Sequence, residues 1–150
     1  MTSSQTFPTL TRRIIEEHHL IHFYLDQLEK SVDALGPQVE IETLRRLAAQ
    51  IDGVRERLEE HFASEDAGGM FRALADLIPE SRADVDRLSR DHESVMENLE
   101  MSRVRAQYGQ PNEVPVLQES LRVFLSLLRD HERREEALFA RALERESHST

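Results

Sequence analysis

Four separate stretches of this chain place an apolar or polar-seam residue at alternating steps of four and three, and few folds accept that pattern. The first runs Ile14, His18, Ile21, Leu25, Leu28, Val32, Leu35. The second is Leu44, Leu47, Ile51, Val54, Leu58, His61, Glu65, and the third Val85, Leu88, His92, Val95, Leu99. The fourth is Leu117, Leu121, Phe124, Leu128, His131, Glu135, Leu138, Ala142. A step averaging about 3.5 keeps side chains on one face of an α-helix, so each stretch predicts a helix with one inward seam.

Punctuation falls between the seams. Gly36-Pro37 stops the first helix, Gly68-Gly69 breaks or bends the second, and Tyr108 to Asn112 is a turn cluster. Thr9 or Thr11 is expected to cap the first helix and Ser81 the third, with the second starting near Val39 and the fourth near Pro115. A short piece, Met70 to Leu77, is expected as a helical turn before Ile78-Pro79. Residues 1–10 read as a loose lead-in and 146–150 as a frayed tail. Helices of about 25 residues on short connections predict an all-α fold, an up-down-up-down antiparallel four-helix bundle over residues 11–145.

Composition narrows the partners. The chain has 29 acids against 19 Lys and Arg, a net charge of −10, which argues against nucleic acid and against anionic membrane surfaces. No apolar run approaches the roughly 20 residues of a bilayer span, and no secretory signal is visible at Met1 to Thr9, so the expected compartment is the cytoplasm. With no cysteine, thiolate nucleophiles and thiolate metal sites are excluded. The sequence does not set the oligomeric state.

The polar residues inside the seams carry the chemistry. Four of the seven histidines, His18, His61, His92 and His131, fall one on each inward seam. His61 and His131 are each followed one turn later by a seam glutamate, Glu65 and Glu135. A lone seam histidine is usually a hydrogen-bonded core residue. Four on four helices are not, and buried glutamates need a partner or a cation. Antiparallel packing would set the four at similar heights.

An internal repeat points the same way. His61 to Leu74 parallels His131 to Leu143, and Glu17-His18 parallels Asp91-His92, which implies a pseudo-two-fold axis through the site. That symmetry suits two metal ions, each taking two imidazoles, with both carboxylates bridging. Imidazole and carboxylate donors suit iron, with zinc or manganese as alternatives. The Glu-x-x-His pairs of ferritin-like di-metal proteins match only at Glu16 and His19, which disfavours that class.

One histidine on the first helix, His-x-x-x-Glu on the second, one histidine on the third and His-x-x-x-Glu on the fourth resemble the hemerythrin-like, or HHE cation-binding, domain. The resemblance runs from about Thr11 to Leu143. It implies a four-helix bundle holding two non-haem iron ions with an oxo or hydroxo bridge, and a small-molecule partner such as O₂. The family's oxygen carriers have two histidines one turn apart on the third helix and an aspartate five residues after the last histidine. Here Met96 stands one turn after His92, and Glu135 four residues after His131, with Glu136 at the fifth position as a rival bridge. By the repeat, His22, one turn after His18, is a candidate fifth imidazole.

The expected function is therefore binding of O₂ or a related small oxidant, for sensing, storage or scavenging. An enzyme turning over peroxide or nitric oxide at the same centre is one alternative. A structural or interaction bundle with an empty or zinc-filled site is the other.

Overall fold

The computed structural model describes residues 6–67 and 69–148. All its regular elements there are helical: α1 (Phe7–Asp33), α2 (Ile41–Ala67), α3 (Met70–Leu77), α4 (Arg82–Tyr108) and α5 (Val114–His148). One-turn 3₁₀ segments at Pro79–Ser81 and Pro111–Glu113 lead into α4 and α5. The all-α expectation stands, but the described residues form five helices rather than four. Gly69 takes the left-handed conformation at φ 92°, open to glycine at little cost, and turns the chain into α3. The other half of the expected break, Gly68, lies outside the described residues.

Contacts fix the direction of the long helices. Between α1 and α2, Arg13 meets Ser64, His18 meets His61 and Arg57 meets Tyr24. Between α2 and α4, Asp66 meets Ser89, Arg55 meets Glu100 and Arg45 meets the Ala106 carbonyl. Asp91–Arg134 and Ser102–Ser120 join α4 to α5, and His18–Glu136 and Gln118–Val32 join α5 to α1. In each pair one number rises as the other falls, so every long helix runs antiparallel to both neighbours.

Several boundaries depart from expectation. The first helix begins at Phe7, inside the expected 1–10 lead-in. The Thr6 hydroxyl accepts from the Thr9 backbone N–H at 3.3 Å, Pro8 suits the first turn, and buried Phe7 anchors it. Thr9 and Thr11 lie within that helix instead of capping it. Ser81 does precede α4, but its side chain makes no capping bond. The start of α2 is Ile41 rather than Val39. At the other end α5 runs to His148, into the expected 146–150 tail; the last two residues and Met1 to Gln5 lie outside the described residues.

The seams bury as their spacing requires. Leu28, Ile51, Leu58, Leu99, Leu121, Phe124 and Leu128 pack at one end of the bundle. A second apolar cluster, with Phe7, Ile14, Leu74, Ile78, Leu88 and Phe139, fills the other end, where α3 closes the floor. The polar seam residues lie between these two clusters. No helix among the described residues is long and apolar enough to cross a membrane.

Candidate metal centre

His18, His61, Glu65, His92, His131 and Glu135 meet in the interior, each at most 6% exposed. They form two four-residue groups of ligand-capable atoms, His18/His61/Glu65/Glu135 and His92/His131/Glu65/Glu135, each within 4.8 Å. The glutamates belong to both. Glu135 Oε1 is 2.9 Å from His18 Nε2, and its Oε2 is 3.3 Å from His131 Nε2. Glu65 Oε1 is 3.4 Å from His61 Nε2 and 3.1 Å from His92 Nε2. Each carboxylate therefore faces one imidazole of either group.

All four imidazoles turn Nε2 inward and Nδ1 towards a carboxylate at the site's edge. His61 Nδ1 lies 3.2 Å from Glu17, and His131 Nδ1 3.4 Å from Asp91. His92 Nδ1 lies 2.9 Å from Asp66, and His18 Nδ1 3.0 Å from Glu136. A carboxylate on Nδ1 holds the proton there, leaving the Nε2 lone pair free and more basic, the usual arrangement behind a metal-bound histidine. Asp91 is braced in turn by Arg134, and Asp66 by the Ser89 hydroxyl at 2.8 Å.

These outer carboxylates follow the repeat. The acids just before His18 and His92 serve the histidines of the neighbouring helices, His61 and His131. The acids just after Glu65 and Glu135 serve His92 and His18. The flanking positions Glu17, Asp66, Asp91 and Glu136 were visible in the repeat, but periodicity alone marks them as helix surface.

The interior is electrostatically unfinished. Both oxygens of Glu65 and Glu135, and Nε2 of His92 and His131, are buried without a hydrogen bond of proper geometry. Burial and the neighbouring Glu135 push the Glu65 carboxyl well above its usual range. Burial pushes Glu135 up too, but Glu65, His131 and His18 outweigh it and hold it below the carboxylate range. Burial disfavours a charged His18, yet the Glu135 carboxylate wins and raises it to about 9. Burial lowers His92, against the opposing pull of Asp66. Inward-facing imidazole nitrogens, unsatisfied oxygens and no sulfur are the donor set of a borderline-to-hard cation. The residues fit a bound metal.

Two other candidates lie outside both groups. His22 sits at the α1 surface, its side chain 47% exposed, and bonds to Glu132 on α5. It lies one step off the seam and belongs to neither group of ligand-capable atoms. Glu136, half exposed, reaches His18 Nδ1 from outside; Glu135 is the carboxylate that faces inward. Glu132 was not anticipated. It is buried although the residue after a seam histidine should face outward.

The hemerythrin HHE cation-binding domain model matches residues 9–143. The chain belongs to that family. No curated protein and no solved structure matches it. For this hemerythrin-like chain, the family and the buried His/Glu groups together support cation binding.

Proposed function

We propose that this protein is a non-haem di-iron binder of O₂ or a related small oxidant. His18, His61, His92 and His131 would be the terminal ligands, and Glu65 and Glu135 the bridges. The observation that carries the reading is the sharing of both glutamates by two four-donor groups, since a single-ion site has no use for the second pair of imidazoles. Two ions with an oxo or hydroxo bridge would satisfy the buried oxygens of Glu65 and Glu135 that have no hydrogen-bond partner.

Each ion would have two imidazole nitrogens, two carboxylate oxygens and the bridge, leaving one position of an octahedral set for a small molecule. When bound, iron would supply reversible redox chemistry. The chain's own part is to hold each Nε2 by its Nδ1 carboxylate, to exclude water with the two apolar clusters, and to fix the spacing of both carboxylates.

The test is elemental analysis and an optical spectrum of protein prepared in iron-rich medium, followed by exposure to O₂ or peroxide. The reading expects two irons per chain, near-ultraviolet oxo-bridge bands, and a spectral change without sustained consumption of oxidant. Sustained turnover would make it an enzyme instead. Less than half an equivalent of any metal would overturn the reading.

A further inference from the structure

The repeat relates the two halves of the site, but their walls differ. On the His92–His131 half, Phe62 stacks on His92 with ring centroids 3.9 Å apart, and Phe71 covers it at 5.4 Å. Further along, the α2–α4 seam is tied by Arg55 to Glu100 at 2.9 Å and by Arg103 to Asp52 at 3.7 Å. On the His18–His61 half, the repeat puts Glu132 where Phe62 stands and His22 where Met96 stands. Glu132 and His22 bond to one another across α1 and α5.

That exchange is costly. Glu132 is 5% exposed, and a buried carboxylate is expensive where an aromatic ring would do. Beside it a cleft of about 550 Å³ opens between α1 and α5, lined by His22, Leu125, Ser126, Arg129, Glu132 and Glu136. Glu136 is in contact with His18 Nδ1, so the floor of the cleft is one side chain from the candidate metal ligands.

We propose that the α1–α5 cleft is the path by which a small guest reaches the His18–His61 half, and that Glu132, held by His22, is the positioning residue that receives it. This inference rests on the di-metal reading above. Glu132 lines the cleft with carboxylate oxygens, beside the guanidinium donors of Arg122, Arg129 and Arg133.

Azide binding to the iron-loaded protein, followed by its charge-transfer absorption in stopped flow, tests both parts. Ser126→Trp fills the cleft from an exposed position and should slow azide association about tenfold or more at unchanged iron content. Glu59→Trp, on the surface of α2 at the opposite seam, should leave the rate unchanged. Glu132→Gln supplies an amide donor at the same shape and should tighten azide at least about threefold. Equal rates in the two Trp variants, or unaltered azide affinity in Glu132→Gln, would overturn this inference while leaving the di-metal reading intact. Failure of the parent protein to take up iron would overturn both.

Discussion

Glu65 and Asp66 are adjacent in the chain yet grip His92 from opposite sides, Glu65 Oε1 3.1 Å from Nε2 and Asp66 Oδ2 2.9 Å from Nδ1. Neighbouring residues on a helix diverge by about 100°, so this needs an imidazole inserted between them from another helix. Glu135 and Glu136 bracket His18 in the same way, at 2.9 and 3.0 Å. The inner and outer acids of each pair therefore have separable roles.

The inner acid should be indispensable for metal. Glu65→Gln keeps the shape of the side chain while removing a carboxylate shared by both ligand groups. The variant should fold, with unchanged far-ultraviolet circular dichroism, and retain at most half of the parent's metal content. Full metal content by elemental analysis would remove Glu65 from the site.

The outer acids should tune affinity without abolishing it. Asp66→Asn, Asp91→Asn and Glu136→Gln leave every inward donor in place but weaken the hold on Nδ1. Each should cost about 10- to 100-fold in metal affinity, measured by competition with a chromophoric chelator. Glu136 decides a point the sequence left open: a bridging Glu136 would make its variant as severe as Glu65→Gln.

Much of this was legible from spacing. A seam histidine or glutamate had to point inward once the helices packed, so His18, His61, Glu65, His92, His131 and Glu135 converge as their heptads demand. Residues one step off a seam were not legible, because a rotation of a few tens of degrees decides whether they face solvent or a neighbour. His22 and Glu132 both sit there; one is at the surface and the other is buried. The outer carboxylates act across helix pairs, and nothing in one helix announces its partner. The early start of α1 rests on the Thr6 cap and on Pro8, which is at home in a first helical turn.

The metal-free and metal-loaded proteins should respond oppositely to pH. His18 is raised from 6.5 to about 9 on folding, so its contribution is fully present below pH 6.5 and is lost as pH rises through about 9. The loss is on the order of 2 kcal/mol, allowing for sharing with Glu135. Glu135 is lowered on folding, so its contribution is present above pH 4.5 and lost as the medium becomes more acidic. Glu65 is raised on folding, so it adds to the loss as pH rises above 4.5, and metal-free protein should melt lower towards pH 9. The metal must displace the His18 proton, so metal affinity should climb across the same interval. Melting curves with and without chelator from pH 5 to 9 check both slopes; parallel slopes would contradict the proton competition.

Metal should stabilise the fold by an amount set by its affinity, and this separates the site from the core. At a free metal concentration 100 times the dissociation constant, linkage gives about 2.7 kcal/mol, or about 5–10 °C in a chain of this size. Leu128→Ala opens the packed end of the bundle, where Leu128 is 0% exposed, and should cost about 2–5 kcal/mol whether or not metal is bound. Glu65→Gln should do the reverse: little change in the metal-free melting point, and loss of most of the metal-induced rise. Thermal scans of parent and both variants, each with metal and with chelator, give the comparison. A Glu65→Gln protein that keeps the full rise would place the stabilising ion somewhere other than between the two glutamates.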